Sequence, residues 1–345
     1  MILAKVSVVD GVTWRELLDE PLLSQIPPVK VQVEKGARTL RITPWSGWCH
    51  DLRVLGGDWV PVARDGQVVL EQMVHSPALF LPKSKHLRLN DGHVDVAEMP
   101  VRQLHEDVIF LGGSPNYYHW LIDILPRLLQ VKPYIGKERF LVPENLLPFQ
   151  RRTLELLGYG EDRLIYVGDH ECVRAPRVLV SSLLSMSTFV HPEVVKMLRR
   201  WFLFKRHPDK PVRRVFISRA DAQSRRLVNE DALLPILAKH GFERVVLGDM
   251  SFDDQVRLFA EVDVLLGVHG AGMTNMVFMP PSSRVVEIAC AHHPATFFTH
   301  LALVSPRAYQ SISADAVSVG GNGAPLSGDL SLDPDVLERA LTQLG

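Results

Sequence analysis

The sequence predicts an α/β protein built from two domains. Three observations support this fold class: a length of 345 residues, an ordinary globular composition, and a regular alternation of apolar strands with helices in the second half of the chain. Domains usually contain roughly 100–200 residues, so this length fits two of them. Strands that alternate with helices form parallel sheets with right-handed crossovers, as in Rossmann-like domains.

The composition excludes several classes of protein. Hydrophobic residues make up 46% of the chain, and 38 Lys and Arg balance 39 Asp and Glu, which argues against bulk nucleic-acid binding. No run approaches the ~18 apolar residues of a membrane span, and the first residues lack the apolar region of a secretory signal, so a cytoplasmic location is expected. Cys49, Cys172 and Cys290 are odd in number and widely spaced, which predicts buried thiols instead of disulfides or a metal pair.

Residues 1–100 predict a β-rich N-terminal segment. Short apolar stretches are separated by turn-forming residues, and apolar and polar side chains alternate at 39–43 and 67–74. Alternation with a period of two residues is typical of strands. A helix is expected here only at about 14–18.

Residues 101–206 predict a first Rossmann-like domain. The apolar strand at 107–111 ends at a pair of glycines, and helical apolar spacing follows from 118 to 129. A second cycle places a strand at 138–143 and a helix at 148–157, and a helix at 192–204 ends this half of the chain.

Residues 212–315 predict a second Rossmann-like domain, after a linker at 207–211 where prolines and charges interrupt any regular element. Its helices are expected at 229–240, with Asn229 as the cap, and from the cap Ser251 to Glu261. The remaining residues, 316–345, predict a tail and one helix capped by Asp333. Two α/β domains in one chain create a cleft, and ligands bind α/β sheets at the carboxyl ends of the strands.

The strongest local signal is a glycine turn after the apolar strand at 263–268. His269-Gly270-Ala271-Gly272 leads into a helix expected near Thr274 and Asn275. Glycines let backbone amides approach a ligand, and the amino end of a helix carries partial positive charge, so the segment predicts an anion site. It is neither a Walker A loop nor a GxGxxG dinucleotide fingerprint. The alternative is a tight turn with a core histidine.

Arginines accompany this turn. The strand at 213–218 brings Ser218 and Arg219 to its carboxyl end, and Arg225 and Arg226 follow in the loop. Guanidinium groups match phosphate oxygens, so these arginines would clamp a diphosphate if they face the glycine turn. The alternative is a solvent-exposed basic loop.

The charges are distributed unevenly. From Lys196 to Arg226 the chain has eleven basic and two acidic residues, a local charge of about +9 that suits a discrete anionic ligand or a solvated basic segment. Glu287 lies inside an apolar strand, where a carboxylate needs hydrogen-bond donors. Ribose hydroxyls of a nucleotide or a structural arginine would provide them.

The first domain carries a second candidate set within residues 110–128. His119 and Asp123 are four residues apart on a predicted helix and share a face. A histidine beside a carboxylate is a candidate general base, whereas a polar helix face is the alternative. The other polar residues of this segment are Asn116, Tyr117 and Arg127.

Together these segments resemble the family-61 glycosyltransferases. The resemblance covers about residues 107–290 and rests on NYYHWLIDILPRL, on ISR followed by RRLVNEDAL, on SFDDQVRLF and on GVHGAGMTNMVFMPPSSRVVEI. It implies a fold of the GT-B type, in which two Rossmann-like domains face a cleft. It also implies an inverting reaction, in which a base deprotonates an acceptor hydroxyl while the leaving diphosphate is stabilised.

The resemblance also assigns roles. The donor would be a nucleotide-diphosphate sugar, with UDP as the expected nucleotide, and His119 or Asp123 would be catalytic. Asn116, Tyr117 and Arg127 would lie on the acceptor side. The donor-binding residues would be Ser218, Arg219, Arg225, His269, Gly270, Ala271, Gly272, Thr274, Asn275 and Glu287.

No metal or other cofactor is expected. Enzymes of the B type commonly stabilise the leaving diphosphate with a helix terminus and cations. The only D-x-D triplet, Asp333-Pro334-Asp335, is typical of a helix N-cap. His292, His293 and His300 lack a carboxylate or cysteine at a regular ligand spacing.

The expected partners are the sugar donor and a glycan or lipid-linked glycan acceptor, with no nucleic acid. The run Arg199–Arg206 mixes aromatic and basic residues, which suits either peripheral contact with a membrane or the end of a packed helix. Two rival functions stay open. One is a nucleotide-sugar-binding scaffold without catalysis, and the other is a Rossmann oxidoreductase, which the missing dinucleotide fingerprint disfavours.

Overall fold

The computed structural model divides the chain into two compact units, Met1–Ser187 and Thr188–Gly345. Each unit combines helices with a six-stranded sheet, which confirms the predicted α/β class. The strand expected at 67–74 and nearly all of the helix expected at 14–18 lie outside the described residues. The described residues are 2–7, 18–22, 24–32, 39–63, 83–90, 93–186, 189–204, 208, 210–290, 296–317 and 328–344.

The first unit is built on a mixed sheet. The strands are β1 (Glu20–Leu22), β2 (Ser46–His50), β3 (Val108–Phe110), β4 (Arg139–Pro143), β5 (Leu164–Val167) and β6 (Arg177–Ser181). Their order in the sheet is β5-β4-β3-β6-β2-β1. β3, β4, β5 and β6 are parallel, whereas β2 is antiparallel to β6 and β1 is antiparallel to β2. The parallel strands therefore have the order 3-2-1-4 found in a Rossmann sheet.

The described N-terminal strands complete this unit, in contrast to the predicted boundary at residue 100. β2 pairs along its length with β6. Trp45 and Val54 pack in one apolar cluster with Val108 and Val178, so residues from both sides of the expected boundary share a core. The other strands of this unit are Ile2–Ser7, Val29–Gln32, Thr39–Ile42, Arg53–Leu55, Val60–Val62, Leu87–Asn90, His93–Ala97, Val101–Gln103, Cys172–Arg174 and Ser185–Met186.

The helix expected at 118–129 is a succession of three short helices. An α-helical turn at Tyr117–His119 leads into a π-helix at Trp120–Ile124, and an α-helix follows at Arg127–Val131. Asn116 caps the first turn, because its Oδ1 accepts hydrogen bonds from the amides of Tyr118 and His119. The predicted helix α1 spans Pro148–Leu156, and short 3₁₀ helices occupy Lys132–Tyr134 and Glu161–Arg163.

The second unit contains a doubly wound sheet. The strands are β7 (Arg213–Ser218), β8 (Phe242–Val246), β9 (Val262–Val268), β10 (Arg284–Cys290), β11 (Ala308–Ala316) and β12 (Leu330–Ser331). Their order in the sheet is β8-β7-β9-β10-β11-β12, and all strands are parallel except β12, which is antiparallel to β11. The first five strands thus follow the order 2-1-3-4-5, the second common doubly wound order beside that of the Rossmann fold.

The helices of this unit follow the predicted pattern with one addition. α2 (Pro192–Phe202), α3 (Glu230–Lys239), α4 (Phe252–Phe259) and α6 (Pro334–Thr342) were all expected, whereas α5 (Phe297–Val304) was not. Two 3₁₀ helices span Leu247–Asp249 and Ala271–Phe278, and the short strand Phe189–Val190 lies before α2. Among the described residues, every helix is too short or too polar to span a bilayer.

The division between the units falls at 187/188, ahead of the linker predicted at 207–211. The reason is α2, which packs on the second unit: the Arg199 guanidinium donates to the carbonyls of Val277 and Met279, and the ring of Phe202 lies against Phe252. The tail expected from 316 also belongs to this core. Its helix α6 buries Leu337 and Leu341 in the apolar cluster of the sheet.

Candidate functional site

Two predicted motifs of the second unit meet where the order of its strands reverses. Arg219 follows Ser218, the last residue of β7, and the turn at 269–272 follows Val268, the last residue of β9. β7 and β9 are neighbours, but the chain leaves them in opposite directions across the sheet, to β8 and to β10. Doubly wound sheets bind ligands in the crevice at such a switch point, outside the carboxyl ends of the strands.

The guanidinium of Arg219 lies directly on the backbone of Gly270. A Cβ atom at Gly270 would overlap Nη1 of Arg219, so only glycine fits this arrangement without a shift. Nε and Nη2 of Arg219 donate to the carbonyl of Ser224 at 3.2 and 2.8 Å, which fixes the plane of the guanidinium. The predicted meeting of an arginine with the glycine turn is therefore present in the structure.

The positive charge of Arg225 acts on Arg219, which lies at this turn. Burial, followed by the charge of Arg225, lowers the pKa of Arg219 to about 10, and burial lowers the pKa of Arg225. No carboxylate among the described residues lies within ion-pair distance of either guanidinium, and the buried Nε of Arg225 has no hydrogen-bond acceptor there. Buried donors of this kind are stabilised by an anion with several oxygens.

Glu287 holds His269 instead of an arginine. The carboxylate is fully buried in β10 and accepts hydrogen bonds from Nδ1 of His269 and from the hydroxyl of Tyr309. Burial and the charge of Glu287 raise the pKa of Tyr309, so its hydroxyl stays protonated and donates. Because Glu287 is not exposed, this geometry does not support the expected direct contact with ribose.

The sequence reasoning missed Tyr309. It lies on β11, within a stretch whose small and polar residues gave no strong strand signal. β11 pairs in parallel with β10, and Tyr309 stands opposite Val285, two residues from Glu287. Only this pairing brings the hydroxyl to the carboxylate.

Several predicted donor-binding side chains form hydrogen bonds inside the second unit. The Ser218 hydroxyl donates to the Glu230 carboxylate at 2.7 Å, and the Asn275 amide donates to Gln255 Oε1 at 2.9 Å and to the Gly272 carbonyl at 3.1 Å. Thr274 is fully buried as well. The helix that contains Thr274 and Asn275 is a 3₁₀ helix and already begins at Ala271, directly after Gly270.

In the first unit, the predicted histidine and aspartate form a hydrogen-bonded group. Nδ1 of His119 and Oδ2 of Asp123 lie 2.7 Å apart, and the Ser185 hydroxyl donates to Oδ1 of Asp123. Asp123 is buried, whereas 12% of the His119 side chain is exposed. The carboxylate thus favours the tautomer with a proton on Nδ1 and the basic lone pair on Nε2.

This group also lies at a switch point. The order of the parallel strands reverses between β3 and β6, and the chain after β3 carries His119 and Asp123, while Ser185 follows the end of β6. Ser185 was not predicted, because a single serine after an apolar strand gives no signal in the sequence. The geometry differs from a nucleophilic triad, since the serine hydroxyl donates to the aspartate and not to the histidine.

The three residues expected on the acceptor side have different environments. Asn116 is the helix cap described above, and the ring of Tyr117 lies edge-on to Phe149 with centroids 5.1 Å apart. Arg127 is fully buried and donates to the Leu111 carbonyl at 2.9 Å. Burial lowers the pKa of Arg127 to about 9, and the charge of Asp123 opposes this shift. Arg127 is therefore an internal cation near Asp123, not a residue that contacts an acceptor.

The described residues contain no group of three or more His, Cys, Asp and Glu side chains that could hold a metal ion. His292 and His293 lie outside the described residues, and the ring of His300 stacks on Phe189 with centroids 3.9 Å apart. Asp333 accepts a hydrogen bond from the amide of Asp335 at 2.9 Å and caps α6, which confirms that part of the sequence interpretation.

The run at 199–206 includes at least one internal residue. Arg199 points into the second unit and caps the carboxyl end of the 3₁₀ helix through its bonds to Val277 and Met279, as a cation does at a helix terminus. Phe204 is exposed and lies under the guanidinium of Arg257. Lys205 and Arg206 lie outside the described residues, so membrane contact by this run stays a prediction.

The fold and these residues define a class of α/β protein in which each unit places polar side chains at the switch point of its sheet. A comparison of the sequence with protein families gives a more specific likeness. Residues 117–286, which are 170 of the 345 residues, match the family model "Glycosyltransferase 61". This match covers just under half of the chain, and it lies within the region whose motifs resemble the family-61 glycosyltransferases.

Curated relatives carry matching regions. An alpha-1,3-arabinosyltransferase of Oryza sativa subsp. japonica is 20% identical over 256 residues, which are 67% of this chain and 43% of the relative. A beta-1,2-xylosyltransferase of the same plant is 31% identical over 204 residues, 51% of this chain and 35% of the relative. An EGF domain-specific O-linked N-acetylglucosamine transferase of Drosophila melanogaster is 32% identical over 90 residues, 25% and 17% respectively. The chain thus spans less than half the length of these relatives.

Proposed function

We propose that this protein is a glycosyltransferase that moves a sugar from a nucleotide-diphosphate sugar to a hydroxyl group of a glycan. The carrying observation is Arg219, held on Gly270 at the switch point of a doubly wound sheet, together with the charge of the buried Arg225 that acts on it. The family supports sugar transfer, and the names of the relatives agree with it. The two cations favour a diphosphate as the group that the donor carries.

The arginines would act on the leaving group. When the bond between the sugar C1 and the diphosphate breaks, its electron pair moves to a phosphate oxygen, where negative charge grows. Fixed donors aimed at this charge stabilise the transition state, and they act strongly because burial removes competing water. Arg219 is fixed by Ser224 and Gly270, which makes it such a preorganised donor. This role would replace a metal ion, and UDP is the nucleotide we propose.

His119 would act on the acceptor. Its Nε2 would take the proton of the acceptor hydroxyl as the hydroxyl oxygen bonds to C1 from the side opposite the leaving diphosphate, which inverts the anomeric centre. We favour His119 over Asp123 as the base, because both carboxylate oxygens of Asp123 already accept hydrogen bonds, from His119 and Ser185. The GT-B arrangement stays part of this proposal.

A binding experiment tests the donor site first. Isothermal titration with UDP, GDP, ADP and NAD, each with and without EDTA, should give the tightest binding for UDP and no effect of EDTA. Arg219→Gln should weaken UDP binding at least about tenfold, because it removes a charge-assisted bond to phosphate. Arg257→Gln is the matched control, since Arg257 is an exposed arginine of the same unit that pairs with Asp254. Binding of NAD alone would contradict the proposal.

A turnover experiment tests catalysis. His119→Ala should lower kcat by about 10²–10⁴ and leave the Kd of UDP nearly unchanged, as expected for loss of a general base. His50→Ala, at an exposed histidine of the same unit, is the control. Full transfer activity in both His119→Ala and Asp123→Asn would show that the base is elsewhere. UDP binding without transfer or hydrolysis of any donor would indicate the non-catalytic scaffold.

A further inference from the structure

We propose that Glu287 is a positioning residue that holds His269 as a third hydrogen-bond donor to the leaving diphosphate. This inference rests on the proposed function and deepens it. The observation behind it is a fully buried carboxylate with one partner, Tyr309, on the next strand and the other, His269, at the start of the glycine turn. His269 is joined to Gly270, on which the guanidinium of Arg219 lies.

A purely structural role does not account for this carboxylate. Val285, Val286 and Ile288 around it in β10 are buried and apolar, and an apolar residue at 287 would avoid the cost of taking a charge out of water. Replacing buried ionic groups by apolar ones is often neutral or stabilising. We therefore explain the carboxylate of Glu287 by its hydrogen bond to His269.

His269 connects the buried charge to the surface of its unit. Its side chain is 15% exposed, while the Glu287 side chain is not exposed at all. The rings of Phe297 and Phe298 lie beside the imidazole, with centroids 6.3 and 5.0 Å away, and limit its rotation. Tyr309 fixes the other carboxylate oxygen. The imidazole is thus held on three sides, as preorganised catalytic groups are.

The chemistry follows from the number of protons on the ring. When both nitrogens carry a proton, Nδ1 donates to Glu287 and Nε2 donates to a phosphate oxygen of the donor. No proton is transferred in this step: the C1–O bond breaks, its electron pair stays on the diphosphate, and the bond from Nε2 shortens as the charge grows. The other groups that set the local charge are the Tyr309 hydroxyl, the guanidinium of Arg225, on which the charge of Glu287 acts, and Arg219 at Gly270.

The test compares three variants, His269→Ala, Glu287→Gln and Tyr309→Phe, with the control Glu243→Gln, which removes a carboxylate that pairs with Arg213 on the same sheet. The Kd of UDP is measured by titration calorimetry from pH 5.5 to 8.5, together with kcat. Ionisation of UDP itself is common to all proteins, so differences between them report the protein.

We expect His269→Ala and Glu287→Gln to bind UDP about tenfold more weakly than the wild type at pH 6, and the pH dependence of their UDP affinity to differ from that of the wild type. Tyr309→Phe should change the UDP affinity and its pH dependence in the same direction, by a smaller factor. Glu243→Gln should match the wild type.

The inference is overturned if His269→Ala, Glu287→Gln and Tyr309→Phe bind UDP like the wild type over the whole pH range. If Glu287→Gln does not fold, the other two variants decide, since Tyr309→Phe removes only one oxygen atom. The proposed function itself fails only if the wild type binds no nucleoside diphosphate and transfers no sugar, so the two failures are distinguishable.

Discussion

At the residue scale, the guanidinium of Arg219 lies against Gly270, a residue without a side chain. Gly270 has an extended backbone that any residue can adopt, so its φ angle does not require glycine. The requirement comes from Arg219, whose Nη1 occupies the place of a Cβ atom. Gly270 was expected to let backbone amides approach the donor diphosphate. In the structure it provides the space for Arg219, the cation that would bind this diphosphate.

Gly270→Ala should reduce ligand binding more than stability. The added methyl group displaces only the far end of the Arg219 side chain, so we expect a melting temperature close to that of the wild type and a Kd for UDP raised about tenfold through loss of one charge-assisted bond. Gly168→Ala, where an added Cβ meets only Glu144 at ordinary contact distance, is the control. Unchanged UDP affinity in Gly270→Ala would contradict the role given to Arg219.

The buried cysteines predict a pH effect. Burial raises the pKa of Cys49 to about 12 and that of Cys172 to about 11, from an ordinary value of 9.0. Because the folded values are higher, the thiols contribute stability that is complete below about pH 9 and is lost as pH rises from 9 towards 12. In folded protein at pH 8, Ellman's reagent should modify the half-buried Cys290 well before the other two, and all three should react in urea. Equal rates for the three thiols in the folded protein would contradict this burial.

At the scale of elements, the segment Tyr117–Val131 shows how a helix carries a site. Its apolar spacing predicts one regular helix, but the Leu125 amide donates to the carbonyl of Trp120, five residues earlier, and this π-turn contains Asp123. π-turns occur often at functional sites. The pairing of amides and carbonyls in this segment depends on the residues that pack around it, including Ser185. The apolar periodicity within the segment carries no information about these distant residues.

Ser185→Ala tests this element. The variant keeps the contact between His119 and Asp123 but removes the hydroxyl that donates to the other carboxylate oxygen, so the carboxylate becomes free to rotate. We expect kcat to fall about tenfold, with the KM of the donor unchanged, because effects of supporting residues are commonly of this size. Ser24→Ala, a partly buried serine elsewhere in the same unit, should have no effect on kcat. A fall in donor affinity would indicate a structural defect instead.

The helix caps give a prediction for stability. Ser251 accepts a hydrogen bond from the amide of Asp254, as the sequence predicts. Ser251→Ala should therefore lower the free energy of unfolding by about 1 kcal/mol, measured by urea titration. Asp254→Asn, which keeps the cap, is the comparison and should cost less.

One predicted cap is not formed, and the reason is tertiary. Asn229 stands at the start of α3, but its side chain bonds to the carbonyl and the amide of Leu332, 103 residues further along the chain. A local pattern predicts a cap correctly when no distant backbone competes for the same side chain. Ser251 and Asp333 meet this condition, whereas Asn229 does not.

At the scale of the whole chain, the net charge of −1 conceals a basic block, the eleven Lys and Arg residues from Lys196 to Arg226. The structure shows what several of these side chains contact. Arg213 pairs with Glu243, Lys196 with Glu193, and Arg226 with Asp329, while Arg199 caps a helix. Exposed pairs of this kind contribute about 0–1 kcal/mol each. Part of the block is therefore paired within its own unit, and the charges that we expect to act on the proposed ligand are those of Arg219 and Arg225.

The dependence of UDP affinity on salt concentration should show whether Arg219 and Arg225 or the whole basic block bind the ligand. Because partly buried charges are screened less than exposed ones, we expect UDP affinity to fall only modestly between 50 and 500 mM NaCl, and Arg219→Gln to show a smaller fall than the wild type. A loss of affinity typical of many exposed cations, about 10³-fold or more as in phosphate-backbone binding, would show that the whole basic block takes part. Titration calorimetry at both salt concentrations measures the difference.

The sequence by itself determined the alternation of strands and helices, the glycine turn, the His119 and Asp123 pair and the resemblance to the family-61 glycosyltransferases. All of these depend on residues that are close along the chain, where periodicity and spacing are informative. The tertiary structure decided the strand orders, and through them it decided that Arg219 lies on Gly270, that Tyr309 and His269 share the carboxylate of Glu287, and that Ser185 reaches Asp123. These contacts join strands and loops far apart in sequence, so only the pairing of strands and the packing around buried charges specify them.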